Sequence, residues 1–172
     1  MIQGYYDVPS CGRGTANATR ACFNLADIHT QAKAGYTSIM YYHWAFSTID
    51  QQQQVLDVLA ESGMMLIADL SSLLENIACG GTAGRHFKNC TQDAGVLVRT
   101  WATVTSQVQR WKTHPALLAW YLCDDCYGQY LMRNHDAGSP TLDTYYAKIK
   151  EMDPHHLLIG ANNADINYAF TH

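Results

Sequence analysis

The segment Trp111-Lys-Thr-His-Pro-Ala-Leu-Leu-Ala-Trp-Tyr-Leu-Cys-Asp-Asp125 carries the end of a helix, a turn, a strand and a pair of acids. Upstream of it, Leu97, Trp101, Val104, Val108 and Trp111 recur at spacings of four, three, four and three. That is the period of an amphipathic helix, and it predicts one over Val96 to Lys112. Ala116 to Leu122 is an almost unbroken apolar run. Strands of parallel sheets, buried on both faces, read this way. Asp124 and Asp125 follow the run directly.

Outward from this segment, four more apolar runs predict strands: Ile2 to Val8, Thr37 to Tyr42, Met64 to Asp69 and His156 to Ala161. Helical patterns lie between them. Asp27 to Ala34 is a short helix ended by Gly35, and Thr48 to Ser62 is ended by Gly63, a glycine in the position that closes helices. Leu142, Tyr145, Tyr146, Ile149 and Met152 mark a further helix, with Ser139-Pro140 as its N-cap and first residue. The order is β-α-β-α-β-α-β-α-β, in units of roughly 35 residues, the size of a βα repeat. The gap between the third and fourth strands is longer and holds Cys79-Gly-Gly-Thr-Ala-Gly-Arg-His-Phe-Lys-Asn-Cys90, an ornamented βα loop of the kind in which sites are built.

Five such units suit two α/β architectures. A five-stranded doubly wound sheet is complete at this length, with its first strand between the second and third. A (β/α)8 barrel takes about 250 residues and is only partial here, with five parallel strands in sequential order. Periodicity does not choose between them.

The chain has 172 residues, of which 48% are hydrophobic and 15% charged, with a net charge of -4. This is a globular composition with a sizeable core. Its basic residues do not cluster, which argues against a nucleic-acid partner. No apolar run approaches the roughly 18 residues of a membrane span, and the first residues lack the basic and apolar regions of a signal peptide.

Six cysteines are present. Cys11 and Cys22 are close in sequence, as are Cys79 and Cys90, and Cys123 and Cys126 form a Cys-x-x-Cys. Asn17 and Asn89 each head a glycosylation sequon lying within a cysteine-bracketed segment. These features lean towards a secreted, oxidising context, and a secreted protein without a signal peptide points to a longer natural chain. Reduced thiols with chance sequons are the alternative. A redox role for Cys123-Asp-Asp-Cys126 would want the motif to open a helix, where Gly128 and Asn134 are poor neighbours. A structural zinc site would want a second ligand pair at matching spacing, and none is present. Gly12 and Gly14, after the first strand, lack the spacing of a nucleotide-binding loop.

The Trp111–Asp125 segment resembles the fourth-strand signature of retaining (β/α)8 glycoside hydrolases. That signature is a helix ending in an aromatic residue, then His-Pro-Ala-Leu, Trp-Tyr-Leu and an acidic pair. Gly35-Tyr-Thr-Ser-Ile-Met-Tyr-Tyr42 resembles the family's second strand, and Val55-Leu-Asp57 with Glu61-Ser-Gly-Met-Met-Leu-Ile67 its third unit. Met152-Asp-Pro-His155 resembles the turn before its fifth strand, and Gly4-Tyr-Tyr-Asp-Val8 its first. The resemblance covers five of eight units. It implies one incomplete (β/α)8 glycosidase-like catalytic domain over residues 1–172, a fragment of a longer chain, acting on O-glycosidic bonds of a carbohydrate substrate without a cofactor or metal.

The resemblance makes Asp125 the general acid/base, with Asp124 beside it. Asp125 is expected to face the carboxyl-end mouth beside Trp44 and Asp69. Asp124, Trp44, His43, Tyr42, Asp69 and Tyr127 are candidates for holding a sugar ring between aromatic faces and polar tips. Two departures stand out. The family position holds Glu rather than Asp, one methylene longer, and the family's nucleophile comes from a later strand than this chain contains. A non-catalytic carbohydrate-binding remnant of the same fold, or a doubly wound domain binding a small ligand, are the alternatives. Asp125 as a simple turn former in Cys-Asp-Asp-Cys is the plainest rival at residue level.

The spacing predicts bridges Cys11–Cys22 and Cys79–Cys90, each closing a loop of about a dozen residues and worth about 3 kcal/mol in the chain-entropy model. Cys123 and Cys126 are close enough to pair, though in a short ring. Peptide mapping without reductant should recover the first two as linked peptides; free thiols at those four positions would refute the pairing.

Overall fold

The computed structural model describes residues 4–7, 25–42, 44–78, 94–123 and 142–160. Its strands are β1 (Gly4–Asp7), β2 (Ser38–Tyr41), β3 (Met65–Asp69), β4 (Leu117–Cys123) and β5 (Leu157–Gly160). Its helices are α1 (Leu25–Lys33), α2 (Ile49–Glu61), α3 (Ser71–Ala78), α4 (Ala94–Trp111) and α5 (Leu142–Met152). A single 3₁₀ turn, Trp44–Phe46, follows β2. All five predicted strands are present; four are shorter by one or more residues, and β4 keeps its length but is shifted one residue onward, to end at Cys123. Helix α3 was not foreseen: Ser71-Ser-Leu-Leu-Glu-Asn-Ile-Ala78 is too short to display a helical period. Ser139-Pro140 lies outside the described residues.

The strand order is β1-β2-β3-β4-β5. Strands β1 and β2 run parallel, with Gly4 opposite Ser38, and β2 and β3 run parallel, with Ser38 opposite Met65. This sequential order overturns the doubly wound alternative, in which β1 would stand between β2 and β3. The fold is a partial (β/α)8 barrel. Each strand lies beside its predecessor in sequence, the order that barrels repeat.

By contact the chain forms two units, Met1–Asp69 with Thr113–Ala119, and Leu70–Lys112 with Trp120–His172. In the first, β2 is buried along its whole length. Helix α2 buries Gln52, Val55, Leu56 and Leu59, the i, i+3, i+4, i+7 stripe of a helix on a sheet. Its start is a capping box: the Thr48 hydroxyl accepts from the Gln51 amide, and the Gln51 side chain accepts from the Thr48 amide at 2.9 Å. Its exit is Gly63 at φ +66°, a left-handed conformation that a side chain would strain.

In the second unit, α4 buries Val104, Gln107, Val108 and Trp111. Trp101, expected to face the sheet, is half-buried instead. It stacks on Tyr145 of α5 at 5.8 Å between ring centroids, with the Lys148 ammonium over its ring at 4.9 Å. Burial pushes the Tyr145 hydroxyl up to about 12. Strand β5 also departs from expectation: Leu157 is 61% exposed and the rest of the strand only half-buried. It stands last in the strand order, so among the described residues it is flanked by a strand on one side only.

The turn between α5 and β5 is built on Asp153, which is 1% exposed. One carboxylate oxygen accepts the Trp120 indole N–H at 2.8 Å and lies 2.8 Å from the His156 Nδ1; the other accepts the amides of His155 and His156, each at 3.3 Å. Burial alone would raise its pKa. The hydrogen bonds from Trp120 and from the backbone and side chain of His156, with the charge of the imidazolium form, outweigh that and hold it below the usual carboxylate range. Lys112 completes the arrangement by donating to the Met152 carbonyl at the end of α5 at 2.9 Å, and Lys150 donates to the His156 carbonyl at 2.7 Å.

Replacing Asp153 by Ala should cost about 2–4 kcal/mol in urea denaturation, because the buried Trp120 donor loses its acceptor. Because the folded-state pKa is lowered, the carboxylate's contribution is present above its unfolded value of about 3.9 and is lost as pH falls through the folded value. Asp153→Asn should therefore flatten the acidic limb of a stability–pH curve; an unchanged limb would refute the assignment.

Candidate functional site

Active sites of barrels lie at the carboxyl ends of the strands. In the first unit these ends are Asp7, Tyr41 and Asp69. Asp7 is opposite Tyr41, and Tyr41 is opposite Ala68, so the three ends share one edge of the sheet. Asp69 is fully buried and Tyr42, one residue past β2, is half-buried.

The segment after β2 is closely tied. The Tyr41 hydroxyl and the Ser47 hydroxyl are 3.1 Å apart, and the Ser47 amide donates to the Trp44 carbonyl at 3.1 Å. The same carbonyl accepts the buried Gln52 side-chain amide at 2.7 Å. Gln52 occupies the first position of the buried stripe of α2, where an apolar residue would satisfy packing but could not meet this carbonyl. The 3₁₀ turn packs against β3.

Trp44 was expected to offer a platform to a sugar ring, but it has no exposed surface and belongs to the core of its unit. A 3₁₀ turn advances about 120° per residue, so Trp44 and Phe46 leave the turn in different directions. Phe46 is 61% exposed. Sequence reasoning missed it, and the only signal available was the apolar triplet Trp44-Ala-Phe46 ahead of a capping box. His43, Asp124, Asp125 and Tyr127 lie outside the described residues, as do Asn17, Asn89, Cys11, Cys22, Cys79, Cys90 and Cys126. The backbone of Cys123 ends β4, immediately before Asp124 in sequence.

No protein-family model matches the chain, and no curated protein matches it. Several solved structures do, these two among them. One is a GH5_18 protein from Bifidobacterium longum subsp. infantis, 14% identical, with a TM-score of 0.50, matched over 86% of this chain and 40% of that one. The other is a beta-galactosidase from the psychrophilic Marinomonas ef1, 15% identical, with a TM-score of 0.46, over 77% of this chain and 23% of that one. The chain has a glycoside hydrolase-like fold. It spans less than half the length of either of these structures.

The turn after β2 gives a direct test of its own construction. Gln52→Leu should cost about 1 kcal/mol of stability by removing one of the two donors to the Trp44 carbonyl and should speed hydrogen exchange at the Ser47 amide. Unchanged exchange there would show that Gln52 does not hold the turn.

Proposed function

We propose that this chain is part of a glycoside hydrolase that acts on a carbohydrate by the retaining route, with Asp125 as its general acid/base. The observation that carries the reading is the position of the acidic pair: Asp124 and Asp125 directly follow β4, the fourth of five strands in barrel order. Barrel enzymes draw catalytic groups from strand ends. The fold likeness to the GH5_18 structure supports the same reading at the level of architecture.

In this role Asp125 as the acid protonates the departing glycosidic oxygen, and as the carboxylate it then takes a proton from the attacking water. In this reading the partner nucleophile would be a carboxylate on a later strand of a longer chain. Its negative charge and a closed mouth would raise the Asp125 pKa into a working range. Asp124, Asp69, Tyr42, His43 and Tyr127 would bind the sugar. Secretion, with bridged cysteines and glycans on Asn17 and Asn89, belongs to the same reading.

A second reading has a specific observation in its favour. Asp125 stands where the family has the longer Glu, and catalytic geometry tolerates little displacement. A carbohydrate-binding remnant without hydrolytic activity would tolerate that change.

The longest natural chain containing these residues, assayed on a panel of nitrophenyl glycosides, separates the two. Hydrolysis should fall by about 10²–10⁴-fold in Asp125→Asn and survive in Asp125→Glu. The 172-residue chain alone should be inactive. Full activity of Asp125→Asn would refute the acid/base role, and saccharide binding without any hydrolysis would favour the remnant.

A further inference from the structure

We propose that Phe46 is a sugar-stacking residue at the rim of the carboxyl-end face, holding a pyranose ring of an extended saccharide by its C–H face. The proposal rests on the carbohydrate reading above and adds a recognition residue to it.

A lone exposed phenylalanine is ordinary on a protein surface. Three features set this one apart. The first is place: Phe46 sits in the loop after β2, on the edge of the sheet shared by the ends of β1, β2 and β3, which is where barrels bind their ligands. The second is rigidity. The turn is pinned before Phe46 by the Gln52 bond to the Trp44 carbonyl, and after it by the Tyr41–Ser47 contact and the Thr48–Gln51 capping box. The third is the division of labour within the turn. Trp44 is fully buried beneath it, while Phe46 is 61% and Ile49 50% exposed.

These features describe an aromatic ring held out from a turn that has little freedom to fold it back. A flexible loop would lose conformational entropy on ordering around a ligand, whereas a pinned ring has little left to lose. The axial C–H bonds of a pyranose form an apolar face that matches a phenyl ring in size. Phe46 carries no polar group, so it would contribute contact area without selecting among hydroxyl patterns. Its expected signature is therefore a dependence on saccharide length more than on sugar identity.

The experiment uses the longest natural chain with cellohexaose, mannohexaose, xylohexaose and laminarihexaose as probes, alongside nitrophenyl monoglycosides. Because Phe46 is exposed, Phe46→Ala should leave the melting temperature unchanged. It should weaken calorimetric binding of the preferred hexasaccharide by about tenfold, with little effect on the monoglycosides, and Phe46→Trp should restore binding. Equal affinity in Phe46→Ala overturns the proposal. So does a clear fall in its melting temperature, which would make Phe46 a packing residue covered by another part of the protein. The two readings fail separately. Loss of activity in Asp125→Asn with no effect of Phe46→Ala leaves the hydrolase and removes the stacking role. Phe46-dependent binding with no hydrolysis of any probe keeps the stacking role and removes the hydrolase.

Discussion

A carboxylate taken out of water must be met by donors, and the way Asp153 is met organises its whole unit. Its four partners come from the middle of β4, through Trp120, and from the turn leading into β5, through His155 and His156. Asp153 also follows α5 directly, and the last turn of that helix is capped from α4 by Lys112. One buried charge thus sets where a helix stops, where the next strand starts and which strand it lies beside. The buried apolar side chains of the same unit, Val104, Val108, Trp111 and Ile149 among them, supply cohesion without direction. The carboxylate supplies the direction, because hydrogen bonds fail if the elements slip past one another.

The first unit meets the same need with neutral groups. There the stretch between β2 and α2 is held by a glutamine, a tyrosine and a serine, with a capping box at the helix start. Burying Trp44 gives this turn its apolar anchor, and the buried carbonyl it creates is answered by Gln52. The consequence is a loop at the carboxyl edge of the sheet that is fixed from both ends. Loops at this edge carry the chemistry of barrel proteins, while the opposite edge carries stability. Asp153, in the turn that enters β5, lies on the stability side of that division.

A glycoside hydrolase-like fold does not by itself specify a reaction, since barrels host many. What narrows the choice is chemistry at particular strand ends. Under the reading proposed above, that is the acidic pair that follows β4 in sequence and, in the first unit, Asp69 at the end of β3. The GH5_18 structure is similar in fold and differs from this chain in most residues. The functional argument therefore stays with the residues of this chain.

The strand–helix alternation was legible because each run carries its own period: Val104, Val108 and Trp111 mark a helix face, and Ala116 to Leu122 a buried strand, without reference to any other segment. Caps were legible too, since Thr48 with Gln51, and Gly63, act within a few residues of themselves. The strand order was not, because a parallel sheet pairs residues more than twenty apart, and the local pattern is the same whether β1 lies outside β2 or between β2 and β3. Helix α3 was hidden by its shortness. The candidate site was legible only as residues that follow strands. Which aromatic would be open was decided by the tertiary structure alone: Trp44 and Phe46 are two residues apart in one apolar triplet. Only the way the 3₁₀ turn is laid against β3 sends the first into the core and leaves the second at the surface. The same holds for Asp153, whose sequence context, Met-Asp-Pro-His, reads as a turn. Its partner Trp120 is brought to it by the packing of β4 beside β5, a contact between segments that no local period encodes.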